Sequence, residues 1–258
     1  MQQVAVDGML QRRLSALKVR ALPPALGLIA LCLFASCAVS PVAFGRSVDS
    51  SGFLRISGQQ FSYQGANVVL RGVNINNEAA LYLAHQNYSE AEGLANARSA
   101  LSSKITEDER DYARLESWGA NFVRFGLDWH WFQGDNRAMA YSIMDQHVAW
   151  AKAHHLWLIP TMFVPEGGNQ DYSDNVRFWG KLTSFNPASM TPQMASLGQF
   201  WVEFASRYAN EPTIAGYDVL NEPSTTYVDD VWFPYASYLR DQMKTVDANH
   251  FFVIEAGA

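Results

Sequence analysis

From Thr106 onward, short continuous apolar runs alternate with longer stretches whose apolar residues recur at helical spacing. Thr106 and Glu109 have the spacing of a capping box, and Tyr112, Leu115 and Trp118 continue from it as one helical face that ends at Gly119. Residues 121–127 follow as a strand, Met144, Val148 and Ala151 mark a second helix, and residues 156–163 form the next strand. Thr191 and Pro192 take the preferred cap and first-turn positions of a third helix, whose spacing is kept by Met194, Leu197, Trp201, Phe204 and Tyr208. A strand over residues 214–220, a helix through Trp232, Tyr235, Leu239 and Val246, and a strand over residues 251–254 complete the pattern. Strands that are apolar on every residue need cover on both faces, and helices between them make them parallel.

The polar residues decide between two architectures. Asn74, Arg124, Asp128, a loop over residues 165–169 with Glu166 and Asn169, Asn221 with Glu222, and Glu255 all fall at or just past strand carboxyl ends. A (β/α)8 barrel gathers its functional face from every strand in this way. A doubly wound sheet opens instead with a Gly-rich phosphate loop, which the first strand here lacks. The expected fold is α/β, a TIM barrel of which about five βα units are present. Ahead of them, residues 53–56 and 61–63, with turns at Ser57-Gly58 and Gln64-Gly65, predict an N-terminal antiparallel β-hairpin, and residues 68–75 the first barrel strand. The Ala- and Asn-rich residues 76–104 read as a lid or rim.

Residues 1–45 are a different material. Arg12, Arg13, Lys18 and Arg20 precede an apolar run over residues 25–40, shorter than the roughly 20 residues a membrane span needs. This predicts a signal peptide over residues 1–45, with Met9 as an alternative start, and a barrel domain over residues 46–258. Small residues for cleavage stand at Ala43 and Gly45, or at Ser36 and Ala38. The run from Leu33 to Cys37 also resembles a bacterial lipobox, with Phe34 where Leu is usual, so that Cys37 would carry a lipid anchor. The expected location is secreted or periplasmic, with a membrane-anchored lipoprotein as the alternative. Both cysteines, Cys32 and Cys37, lie in this segment, which leaves the mature chain without a disulfide or thiol ligand. Of the 19 Lys and Arg and 25 Asp and Glu, four basic residues and one acidic residue precede Arg46, leaving 15 against 24 and a net charge of −9. Such a surface excludes nucleic acid and favours a neutral substrate.

Four segments carry a family resemblance: Leu70-Arg71-Gly72-Val73-Asn74, Asn121-Phe122-Val123-Arg124, Tyr217-Asp218-Val219-Leu220-Asn221-Glu222-Pro223 and Phe252-Val253-Ile254-Glu255. In order and spacing they resemble the first, second, fourth and fifth strands of glycoside hydrolase family five, the cellulase and mannanase group of retaining barrel glycosidases. The resemblance implies hydrolysis of O-glycosidic bonds in a β-linked polysaccharide such as cellulose or mannan by two glutamates, with no cofactor. Glu222 would be the general acid/base. Asn221 would bind the sugar 2-hydroxyl at the cleavage subsite, Arg124 would lie beneath the site and orient the nucleophile, and Glu255 would line the cleft. A second carboxylate roughly 5–5.5 Å away is what a retaining mechanism requires.

Two departures accompany the match. The family has a His at the end of its third strand, where this chain carries Met162 and Phe163. Its nucleophile is a Glu at the end of the seventh strand, so the barrel is expected to be incomplete at its C-terminus. Glu255 as a substitute nucleophile stands against its place on the fifth strand. Trp129 and Trp131, in the loop after the second strand, are expected to form a sugar-stacking rim, with a role in capping the barrel as the alternative. Tyr227 and Trp232 would form the leaving-group side. His147, His154 and His155 lie away from the functional face, and no His-x-x-x-His or acidic cluster argues for a metal. The competing function is glycan binding by an inactive half-barrel without the nucleophile. A barrel lyase or aldolase would need a Schiff-base Lys or metal ligands at strand ends, and the few Lys fall elsewhere.

Overall fold

The structure, a computed structural model, describes residues 52–75, 109–167 and 178–256. The leader, both cysteines, the 76–104 segment, Thr106 and Asn169 lie outside the described residues.

Three short strands open the chain: β1 (Arg55–Ser57), β2 (Gln60–Tyr63) and β3 (Ala66–Val68). They pair antiparallel in that order, so the expected hairpin is a three-stranded meander. Its second turn has positive φ at both Gln64 (50°) and Gly65 (77°), a turn whose twist matches that of the flanking strands. The predicted strand over residues 68–75 is split. Val68 ends β3, and β4 covers Gly72–Ile75. The cause is Asn121, whose side chain accepts from the Arg71 amide at 2.7 Å and donates to the Val69 carbonyl at 2.9 Å, occupying groups that a continuous strand would use in its ladder.

Helices and strands then alternate: α1 (Glu109–Ser117), β5 (Phe122–Asp128), α2 (Arg137–Ala153), β6 (Trp157–Val164), α3 (Pro192–Tyr208), β7 (Gly216–Asp218), α4 (Phe233–Lys244) and β8 (Phe251–Val253). The five strands β4 to β8 form one sheet in sequence order, every pair parallel. A doubly wound sheet reverses its order at a switch point; this one does not, which is the arrangement of a (β/α)8 barrel. Thr191 caps α3 as predicted, its Oγ1 accepting from the Met194 amide at 3.1 Å.

Two predicted helical faces are shorter than their sequence pattern. Trp118 lies beyond α1 and is 75% exposed, because Gly119 (φ 78°) turns the chain after Ser117. The fourth helix begins as a π-helical turn over Val228–Trp232, and Val246, past the end of α4, is left exposed.

Side chains alternate across the sheet. One face packs on the helices, where Tyr217 meets Trp201 and Phe204 of α3 with Phe252 beside it, and the Trp201 indole donates to the Val219 carbonyl at 2.9 Å. The other face carries Phe122, Trp157, Ile159, Ala215, Phe251 and Val253, and the meander packs against it through Leu54 and Tyr63. Ring pairs Tyr63–Trp157 and Phe61–Phe251, each at 5.3 Å, make this contact at the amino ends of the strands. Their carboxyl ends carry the polar residues.

Candidate active site

On the inner face the register sets Asn74 beside Arg124, and Thr161 beside Asp218. Arg124 is the hub. Its Nε and Nη2 donate to Asp218 Oδ2 at 2.8 and 2.5 Å, and Nη2 also reaches Asn221 Oδ1 at 2.9 Å and Glu255 Oε1. Phe163 lies under the guanidinium, ring centroid 4.9 Å away. The position where the family carries a polar residue is thus taken by an apolar pair. Met162 is fully buried, and Phe163 gives the cation a flat ring.

Asp218 is the residue that sequence reasoning missed. It is 1% exposed, accepts from Thr161 Oγ1 at 3.4 Å, and its Oδ1 is buried without a partner among the described residues. Burial pushes its carboxyl up to about 7, further raised by Glu255 and held back by the Arg124 charge. A signal was present in the sequence. An Asp inside the apolar run 214–220, on the same alternation as Arg124, has to be paired or protonated.

Asn221 and Glu222 follow directly. The Asn221 amide N–H donates to the Met162 carbonyl at 2.9 Å, which carries strand pairing past the end of β7. Its Oδ1 bond to Arg124 orients the side-chain amide so that Nδ2 lies on the far side. Glu222 is exposed and has φ of 45°, a left-handed backbone that costs a non-glycine residue on the order of 1 kcal/mol. Its amide N–H donates to Glu255 Oε2 at 2.9 Å. Glu255 is held in turn by the Trp232 indole, which donates to its carbonyl at 2.7 Å. Trp232 is fully buried, so of the two aromatic residues expected on the leaving-group side only Tyr227 stands exposed.

The structure therefore brings Arg124, Asn221, Glu222 and Glu255 together and leaves the two tryptophans apart. Asp128 ends β5 as the cap of a 3₁₀ turn over Trp129–Phe132, accepting from the His130 amide at 2.9 Å and lying 2.7 Å from His130 Nδ1. That turn folds Trp129 and Trp131 into the helix-side core, 8% and 2% exposed, rather than out as a rim. Four successive residues of the turn are buried, because α2 and α3 close over it through Tyr141 and Phe200. His147 is buried on α2, 2.6 Å from the Tyr112 hydroxyl, and is remote from this site. No group of three potential metal ligands occurs among the described residues.

The arrangement is an exposed carboxyl at a strand end, carried on a backbone fixed by a half-buried Arg–carboxylate cluster. A carboxyl so placed is accessible to a ligand while its main chain is not free to drift.

Solved structures share this fold. A β-glucanase from Saccharophagus degradans, crystallised with cellotetraose, superposes with a TM-score of 0.52 at 18% identity, over 80% of this chain and 54% of that one. An endogalactoceramidase superposes with a TM-score of 0.50 at 18% identity, over 80% and 54% of the two chains. The chain thus spans about half the length of the structures it matches. No curated protein matches it by sequence. Residues 84–258, the greater part of the chain, match Cellulase (glycosyl hydrolase family 5), and the chain belongs to that family.

Proposed function

We propose that the chain takes part in retaining hydrolysis of a β-linked glucan or mannan, with Glu222 as general acid/base. The observation that carries this reading is the pairing of an exposed Glu222 with a main chain anchored to Glu255 and, through it, to Arg124. In the first step Glu222 gives its proton to the glycosidic oxygen as the C1–O bond breaks and the electron pair leaves with that oxygen. A second carboxylate closes on C1 from the opposite face of the sugar. In the second step Glu222 takes a proton from water as the water oxygen displaces that carboxylate. Asn221, oriented by Arg124, would hold the 2-hydroxyl. Such an enzyme meets its polymer outside the cell, and the basic and apolar leader is the segment to take it there, with Cys37 as the anchor if the lipobox is read.

A second reading has its own support. The two other carboxylates of the cluster, Asp218 and Glu255, are both engaged by Arg124, and neither is disposed to attack a sugar. This fits retention of the glycan without cleavage. Release of reducing ends from soluble β-glucan or mannan, abolished by Glu222→Gln, supports hydrolysis. Retention of either polymer on the immobilised chain without reducing ends selects binding.

A further inference from the structure

We infer that Glu255 is a positioning residue for Glu222, the strut that keeps the acid/base on its left-handed backbone, and neither a sugar ligand nor a nucleophile. The inference rests on the reading of Glu222 as acid/base. Three contacts fix Glu255. Its Oε1 meets Arg124, its Oε2 accepts from the Glu222 amide at 2.9 Å, and its carbonyl accepts from the buried Trp232 indole at 2.7 Å. Both carboxylate oxygens are thereby committed inside the protein.

The demand for such a strut comes from Glu222 itself. Its φ of 45° is a conformation that a long side chain holds only where its surroundings determine it. A carboxylate accepting the amide N–H supplies a charge-assisted bond at that point. Arg124 completes the device. One guanidinium nitrogen, Nη2, touches Asp218 and Asn221 from the fourth barrel strand and its extension and Glu255 from just past β8, so the strand end bearing the acid is braced against the next one. Removing the Glu255 carboxylate leaves the chain folded around Arg124 and Asp218 but releases the Glu222 amide.

Substrates that differ in leaving group separate the possible roles. A glycoside with an unactivated sugar leaving group needs the proton from Glu222; a dinitrophenyl glycoside does not. For a positioning role, kcat/KM of Glu255→Ala on a cello-oligosaccharide falls by about 100-fold, the scale of a displaced catalytic group, and on dinitrophenyl β-cellobioside by less than about fivefold. Glu255→Gln, which keeps an acceptor oxygen, recovers part of the loss. Equal losses on both substrates would make Glu255 a nucleophile, and a rise in KM at unchanged kcat would make it a sugar ligand; either overturns the inference. Hydrogen exchange at the Glu222 amide is the second readout and needs no turnover. Exchange at least about tenfold faster in Glu255→Ala than in the wild-type chain is expected, and an unchanged rate refutes the strut. If the wild-type chain cleaves neither substrate, the proposed hydrolysis fails on its own account, and amide exchange alone decides the role of Glu255.

Discussion

Tyr217 and Asp218 are neighbours in one strand, point to opposite faces of the sheet, and each belongs to a buried cluster around a carboxylate. On the helix side the Tyr217 hydroxyl donates to Asp247 Oδ2 at 2.7 Å, and His250 Nδ1 sits 2.5 Å from the same oxygen. The other Asp247 oxygen accepts from the Asn249 and His250 amides at 2.8 and 3.2 Å. Every acceptor there has a donor, and although burial pushes the Asp247 carboxyl up, the bonds from His250 and Tyr217 bring it below its usual value. On the inner side the balance is reversed. Asp218 Oδ1 lacks a donor among the described residues, and one Arg124 nitrogen with two hydrogens faces three acceptor oxygens. Burial then wins over the positive charge, and the Asp218 carboxyl rises to about 7. The same residue type is structural on one side of the sheet, where its donors are complete, and proton-holding on the other, where they are not.

Four experiments break or sharpen that contrast. The largest effect is expected from Arg124→Met, which removes the one cation shared by Asp218, Asn221 and Glu255; stability falls by about 3–5 kcal/mol in urea denaturation, and any Glu222-dependent turnover is lost. Next is Asp218→Asn. The folded protein holds a proton on Asp218 that the unfolded chain has released between about pH 4 and 7, so the Asp218 contribution to wild-type stability is full below that window and declines as pH rises through it. The variant should lose that decline, on the order of 3 kcal/mol across the window, measured as unfolding free energy against pH.

Tyr217→Phe should cost about 1–3 kcal/mol at neutral pH, because it leaves a buried carboxylate oxygen short of a donor, while turnover and the pH dependence tied to Asp218 stay unchanged. Asp247 has the opposite sign of linkage to Asp218. Its lowered carboxyl stabilises the fold above the ordinary carboxylate pKa and loses that contribution in acid, and Tyr217→Phe should shrink this acid-side loss. The smallest effect belongs to Trp118→Ser. An isolated exposed ring beyond a helix end should change the melting free energy by no more than about 0.5 kcal/mol.

Much of this was legible from residue order. The strand and helix alternation placed all five parallel strands, and the polar residues at their ends included Arg124 and the three that gather with it, Asn221, Glu222 and Glu255. What escaped has local causes. Asp218 reads as one polar residue within an apolar run, and only pairing with Arg124, 94 residues away, gives it a role. The tryptophans after β5 follow a strand end as a rim would, but the Asp128 cap turns the chain into 3₁₀ helix and buries them. The break between Val68 and Gly72 depends on the Asn121 side chain, to which a local apolar pattern is blind. Trp118 and Val246 keep helical spacing beyond the point where the backbone leaves the helix, and periodicity carries no mark of that point.

The meander carries a consequence for the order of events in the cell. Arg55 Nη1 donates to the Asn249 carbonyl at 2.9 Å across 194 residues of sequence, and Phe53 and Phe61 rest on His250 and Phe251. During synthesis the meander emerges well before the strand it must lie against. Its exposed rings therefore wait through the making of the intervening helices and strands, and contacts of such long separation are slow to close. The first described part of the chain to leave the ribosome is among the last to find its place.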